Sequence, residues 1–173
     1  MKQILVVIDM QKDFVDGALG TPEAVSIVSN VVEKIRSYPA GTVFATRDTH
    51  TPDYLSTQEG KNLPVVHCVK NTPGWELVPA VAQALGDSPI LDKPTFGSLE
   101  LAQMLTQMNQ QEPISVELVG LCTDICVVSN ALLLKAYQPE LPISVDSSCC
   151  AGVTPESHKA ALETMKMCQI LVK

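Results

Sequence analysis

The chain has 173 residues, 46% of them apolar and 18% charged, with a mean hydropathy of +0.17, which excludes intrinsic disorder and bounds it at one domain, residues 1–173, with a full hydrophobic core. With 12 Lys and Arg against 19 Asp and Glu, the formal charge is −7, and no basic cluster exceeds a pair, so no nucleic-acid partner is expected. No stretch approaches the roughly 18 apolar residues of a membrane span, and the run after Met1-Lys2-Gln3 is stopped by Asp9 before it reaches the length of a secretion signal. A cytoplasmic protein away from membranes is expected, with its 6 cysteines as thiols and not a disulfide framework.

Ile4 to Ile8 is apolar throughout, as a strand covered on both faces must be. Pro22 to Ser37 carries Ala24, Ile27, Val28, Val31, Val32 and Ile35 at helical spacing, behind Thr21 as N-cap with Pro22 in the first turn. Thr42 to Thr46 reads as a second strand, Val78 to Leu85 as a short helix and Pro89 to Leu91 as a brief third strand. Ser98 caps a helix running to Met108. Ile114 to Val119 is a fourth strand, Asp124 to Tyr137 a helix, Ile143 to Val145 a fifth strand, Pro155 to Met167 a last helix and Gln169 to Val172 a last strand. This alternation predicts an α/β fold, a single-domain three-layer α/β/α sandwich on a parallel sheet of about six strands. Asp48 to Glu76 is the one long irregular stretch, and loops of that length are commonly functional.

In a parallel sheet the ligand crevice lies beyond the carboxyl ends of the strands. Asp9 ends the first strand, Asp48 and His50 the second, Lys93 follows the third, and Gly120 to Cys126 the fourth. Singly, each has a plain structural explanation: a capping aspartate, a solvated lysine, a small cysteine in the core. Together, a carboxylate, an ammonium and a thiol on one rim supply base, charge partner and nucleophile. Cys126 stands at a helix start, where unpaired N–H groups favour a thiolate and offer donors to an oxyanion. Cys122, in the turn itself, is the rival nucleophile, better placed to offer its backbone N–H.

Val6-Val7-Ile8-Asp9-Met10-Gln11-Lys12-Asp13-Phe14, Lys93, and Gly120-Leu121-Cys122-Thr123-Asp124-Ile125-Cys126-Val127 resemble, in order and spacing, the three signature segments of the isochorismatase-like cysteine hydrolases. The resemblance spans nearly the whole chain, and Thr123 to Val127 is its most specific part. It implies Asp9, Lys93 and Cys126 as catalytic triad, a cis peptide at Leu121–Cys122, and the backbone N–H groups of Cys122 and Cys126 as oxyanion donors. Cys126 argues against the isochorismatases proper, which lack the cysteine.

Within that family Asp48-Thr49-His50 offers two ligand types on one face of an extended chain, and His67 a third. One Asp and two His suit one divalent metal ion, Zn first, with Fe, Mn or Co open. Such a site resembles the nicotinamidases. A further histidine that many nicotinamidases carry after the Asp-x-His pair is replaced here by Tyr54 or a near neighbour, and Glu59 stands where some relatives place a glutamate ligand. Phe14, Tyr54 and Trp75 are candidates to flank a substrate ring. His158 is expected to cap or pack, and Cys149, Cys150 and Cys168 to be buried. The resemblance implies a metal-containing cysteine amidohydrolase that converts nicotinamide to nicotinate and ammonia through a thioester, a step of NAD salvage. The alternatives are a related amidohydrolase for a carbamoyl or other small amide, and a non-enzymatic binding protein on the same fold. A small-molecule amide is the expected partner, with a homo-oligomer left open.

Overall fold

The computed structural model describes residues 1–173. Six strands, β1 (Lys2–Ile8), β2 (Val43–Asp48), β3 (Ile90–Lys93), β4 (Ile114–Leu121), β5 (Ile143–Ala151) and β6 (Leu171–Val172), form one sheet in the order β3-β2-β1-β4-β5-β6. Every pairing is parallel. The chain steps outward from β1 through β2 to β3, then returns across the sheet to place β4 on the other side of β1. The strand order therefore reverses between β1 and β4, and the crevice for a ligand opens where these two strands end.

Parallel strands must be joined by crossovers, and these cover both faces of the sheet. One face is covered by α1 (Lys12–Val15), α2 (Pro22–Ser26), α3 (Val28–Ser37) and α5 (Pro79–Leu85). There Leu5, Val7, Val43 and Val119 of the strands pack on Val31, Ile35, Val81 and Leu85. The other carries α6 (Leu99–Gln111), α7 (Val128–Tyr137) and α8 (Pro155–Met167), where Ile4, Val6, Ile8 and Leu118 meet Leu101, Leu105, Leu134 and Met165. The two faces bury equal shares, 22 residues each, which accounts for the uninterrupted apolar run of β1. Gly120 in β4 has φ +114, and a Cβ there would stand 2.1 Å from the Ile8 carbonyl oxygen, so only glycine lets β4 approach β1 this closely at the crevice.

The differences from the sequence reading have local causes. The helix expected over Pro22–Ser37 is two, α2 and α3, divided at Ile27 (φ −87, ψ −11); Thr21 caps the first, accepting from the Ala24 N–H at 3.0 Å. β5 continues to Ala151 past polar Asp146-Ser147-Ser148 because it lies next to the edge strand, where the Asp146 carboxylate reaches Lys34 Nζ at 2.6 Å. The long irregular stretch contains two single 3₁₀ turns, at Tyr54–Ser56 and Pro73–Trp75, and α4 (Gln58–Asn62). Cys149 and Cys150 are buried, whereas Cys168 is exposed, because it closes α8 at the surface end of that helix. No helix is long and apolar enough to cross a membrane.

Candidate active site

Asp9 is the first residue beyond β1. Its φ of 48 turns the chain out of the strand, in the left-handed region that Asp tolerates better than most residues. The Thr46 hydroxyl donates to Asp9 Oδ1 at 2.6 Å. Lys93 ends β3, and although it is an ammonium only 1% of it is exposed. Its Nζ lies 2.7 Å from Asp9 Oδ2 and donates to Cys126 Sγ at 3.2 Å, to the Thr95 carbonyl at 3.2 Å and to Asp48 Oδ1 at 3.3 Å.

Cys126 does not sit in the first turn of an ordinary helix. Thr123–Val127 forms a wide π turn in which the Val127 N–H donates to the Cys122 carbonyl, and α7 begins only afterwards. Such turns recur at functional sites. The Leu121–Cys122 peptide at its entrance is cis. Asn130, in the first turn of α7, clamps this segment: its Nδ2 donates to the carbonyls of Cys126 at 2.8 Å and Phe96 at 3.1 Å, and its Oδ1 accepts from the Ser98 N–H at 2.9 Å.

The electrostatics correct the expectation that a helix start would hold the Cys126 thiol low. Burial pushes its pKa well above the ordinary thiol value, and the Asp9 charge adds to this, against a smaller opposing effect of Lys93. Burial also raises Asp9, more than Lys93 lowers it. For Lys93 burial works against the charge, but Asp9, Cys126 and Asp48 outweigh it and the ammonium is held protonated. A neutral thiol therefore stands beside the Asp9–Lys93 pair, in which the ammonium is held charged.

A second cluster lies on the other side of Lys93. Asp48 closes β2 and His50 follows two residues later. A parallel bridge between His50 and Val69 draws in the far end of the long loop, with the His50 N–H on the Cys68 carbonyl and the Lys70 N–H on the His50 carbonyl. His67 Nδ1 lies 2.7 Å from the Val65 carbonyl, which leaves Nε2 for the cluster. His50 Nε2 is 3.0 Å from Asp48 Oδ2 and 3.6 Å from Glu59 Oε1; His67 Nε2 is 3.8 Å and 3.7 Å from the same two oxygens. One donor atom from each of the four side chains falls within 4.8 Å of all the others. Donors about 2.0–2.1 Å from a tetrahedral ion stand about 3.4 Å apart, and the buried His50 Nε2 has no hydrogen-bond partner of acceptable geometry. The residues present thus fit a divalent metal of the zinc type, with Glu59 as fourth protein donor.

Both clusters open on one cavity of about 680 Å³, whose lining includes Asp48, Glu59, His67 and Cys126 with Phe14 and Phe96. Phe14 is the only one of the three aromatic candidates on its wall, with its ring 5.5 Å from that of His67. Tyr54 stands behind the histidines, with ring centroids 4.6 Å from His50 and 4.9 Å from His67, and donates its hydroxyl to the Leu63 carbonyl at 2.8 Å. Trp75 lies outside the cavity lining, its indole N–H on Thr49 Oγ1 at 2.9 Å and the Arg47 guanidinium 3.6 Å over its ring.

Two residues that sequence reasoning passed over support this assembly. Buried Gln11 donates to the carbonyls of Asp48 at 2.8 Å and Trp75 at 2.9 Å and accepts from the Asp48 N–H at 2.7 Å, tying the end of β2 to the end of β1. Asp13 Oδ2 accepts from the Cys68 N–H at 2.8 Å, fixing the residue next to His67. Both lie in the signature segment after β1, which was the one available signal.

A buried thiol, carboxylate and ammonium beside a two-histidine, two-carboxylate cluster at a sheet's switch point define a hydrolase site. The chain belongs to the isochorismatase family: the isochorismatase domain matches residues 3–173. More narrowly it is a nicotinamidase-like amide hydrolase. It is 26% identical to a nicotinamidase of Schizosaccharomyces pombe over 97% of this chain and 91% of the relative. Its fold matches the crystal structure of Pyrococcus horikoshii pyrazinamidase in complex with zinc (TM-score 0.82, 30% identity, 100% of this chain and 99% of the other). It also matches N-carbamoylsarcosine amidase of Thermoplasma acidophilum (TM-score 0.76, 27% identity, 100% and 96%).

Proposed function

We propose that residues 1–173 act as one cysteine hydrolase domain that converts nicotinamide to nicotinate and ammonia through a thioester on Cys126. The observation that carries this reading is that Cys126 lines the same cavity as Asp48, Glu59 and His67, three of the four residues of the histidine–carboxylate cluster that His50 completes. A ring nitrogen and a carboxamide at separate positions of one aromatic ring need two such anchoring points.

Asp9 takes the thiol proton of Cys126 as sulfur attacks the carboxamide carbon, so the thiolate exists only while a bond is forming. That timing follows from a buried thiol whose proton is otherwise held firmly. Lys93 keeps the migrating negative charge paired whether it sits on Asp9 or on sulfur. The N–H groups of Cys122 and Cys126 receive the oxyanion. When the C–N bond breaks, Asp9 returns the proton to nitrogen and ammonia leaves. Asp9 then deprotonates a water that attacks the thioester, the C–S bond breaks, and the proton returns to sulfur as nicotinate is released.

Asp48, His50, His67 and Glu59 hold the divalent ion in this reading, which supplies a Lewis-acid anchor for the ring nitrogen when bound. Phe14 packs against the ring. A cytoplasmic place in NAD salvage is part of the same proposal. The likeness to a carbamoylsarcosine amidase supports one competing reading, a carbamoyl substrate, in which the metal cluster has no part in binding.

Ammonia release from nicotinamide, measured with and without a chelator, tests the reading. Turnover that falls on chelation and returns with zinc is the expected result. Hydrolysis of a carbamoyl amine but not of nicotinamide, unaffected by chelator, would replace it with the competing reading.

A further inference from the structure

Thr123 opens the turn that carries Cys126, and its side chain is completely buried. Nothing in the proposed chemistry uses it. Its Oγ1 lies 2.8 Å from Nδ1 of His158, a half-buried residue in the first turn of α8. The next residue of the turn is tied to the same region, because both Asp124 carboxylate oxygens accept from the Val153 N–H, at 3.1 and 3.2 Å. Gly152 completes the contact: a Cβ there would meet the His158 backbone N, Cα and Cβ at 2.9 Å, so α8 is packed directly onto the 152–153 segment with no room to slide toward it. Gly152 and Val153 themselves line the reaction cavity, and His158 does not.

His158 is not needed to start its own helix. Thr154 is the N-cap, in a reciprocal capping box with Ser157, and Pro155 occupies the first helical position. The imidazole is thus spare for α8 and engaged with the nucleophile turn. From this geometry we infer that His158 is a positioning residue: through Thr123 Oγ1 it fixes the turn from Cys122 to Cys126, and so the relative placement of the Cys126 sulfur and the two oxyanion N–H groups. It touches neither substrate nor sulfur. The inference rests on the reading of Cys126 as nucleophile. A displacement of the reacting groups by a fraction of an ångström lowers the chemical step while leaving binding of the ground state nearly intact.

The test compares His158→Ala, His158→Asn, His158→Gln and Thr123→Val in the metal-loaded enzyme. His158→Ala is expected to lower kcat for nicotinamide about tenfold, with KM within about twofold. His158→Asn places an amide where Nδ1 stands and should recover most of kcat; His158→Gln reaches toward the Nε2 position and should not. Thr123→Val should reproduce the loss, and the double variant should be no worse than either single one, because both remove the same bond. A second readout needs no substrate: the rate of Cys126 alkylation by iodoacetamide, followed by peptide mass spectrometry, should rise at least about threefold in His158→Ala and fall back in His158→Asn. That arm separates this inference from the substrate assignment, since a protein inactive on nicotinamide would still show it. An unchanged alkylation rate together with kcat within twofold of the parent, losses that multiply in the double variant, or equal behaviour of Asn and Gln would each overturn it.

Discussion

Replacing Lys93 with Met isolates the charge on which the site depends. Methionine matches the length of the aliphatic stem, so the packing of a side chain that is 1% exposed is largely kept and the change is electrostatic. What is lost is the ammonium 2.7 Å from Asp9 Oδ2 and 3.3 Å from Asp48 Oδ1. Asp9 is fully buried and keeps only neutral partners, the Thr46 hydroxyl on its other oxygen and the Cys126 thiol. Removing one partner of a buried pair costs about 3–5 kcal/mol, against a total stability of about 5–15 kcal/mol for a domain of this kind. The variant should fold at 25 °C with a much lower urea midpoint. Burial already raises the Asp9 carboxyl, and without Lys93 it rises further, so the folded variant binds more protons than its unfolded chain. Its stability then falls as pH rises, and its deficit from the parent narrows as pH drops toward the ordinary carboxyl value of about 3.9. Urea unfolding at pH 7.5 and pH 5, at one fixed metal concentration, measures this, with ammonia release abolished at both. A deficit below about 1 kcal/mol at pH 7.5, or one that widens on acidification, would show that Lys93 does not hold the Asp9 charge.

Cys126→Ala should abolish ammonia release without loss of thermal stability beyond about 1 kcal/mol, whereas Cys122→Ala should stay active, its backbone N–H being unaltered; exchanged outcomes in the ammonia assay would move the nucleophile to Cys122. Asp9→Asn should be nearly as damaging as loss of the thiol, because an amide cannot accept the proton. Glu59→Gln should weaken metal binding about tenfold or more by titration with zinc, while Tyr54→Phe leaves it nearly unchanged and costs about 1 kcal/mol of stability through its bond to Leu63; unaltered affinity in Glu59→Gln would reduce the protein ligands to three. Away from the site, Glu117 is held below the usual carboxylate range: burial alone would raise it, but Lys173 at 2.8 Å, the Tyr38 hydroxyl at 2.7 Å and Lys34 at 3.4 Å together outweigh that. Its contribution is present above the unfolded carboxyl pKa and lost as pH falls through the lower folded one, so Glu117→Gln should cost about 1.5–3 kcal/mol at pH 7, a cost that shrinks as pH falls below the ordinary carboxyl value of about 4.3, and should leave amidase activity unchanged.

The sheet was legible because a strand buried on both faces cannot hide its apolar run, as in Ile4–Ile8, and because Thr21 and Ser98 mark their helix starts by chemistry that propensity cannot override. Asp9, Lys93 and Asp48 were legible as polar residues where apolar strands stop. The π turn was not: Thr123–Val127 has the composition of a helix start, and its wider closure is set by the approach of β4 to β1 at Gly120 and by Asn130 from the following helix. Trp75 misled for a related reason. An aromatic residue near the site in sequence was a fair candidate to face the substrate, but Arg47 and Thr49 hold it outside the cavity lining. The ties made by Gln11 and Asp13 join residues 37 to 64 positions apart, and no local pattern carries such pairings.

The two clusters share a residue, and that decides how the site behaves as a unit. Asp48 turns one oxygen to Lys93 and the other to His50 and His67, while Gln11 holds its backbone on both sides. Burial by itself would push the Asp48 carboxyl up, but His50 and Lys93 hold it low, so it stays charged toward both neighbours. The base pair of Asp9 and Lys93 and the histidine cluster therefore cannot be displaced independently: a shift of Asp48 that relaxes one misplaces the other. Strand order explains why this is affordable. β2 lies between β1 and β3, so the ends of three adjacent parallel strands deliver Asp9, Asp48 and Lys93 side by side, and the sheet's own register, Thr46 beside Ile8 and Asp48 beside Lys93, sets their spacing. Only His67 and Glu59 must be brought in by loop, and it is on that loop that the anchoring of Cys68 by Asp13 and of Tyr54 by Leu63 is found.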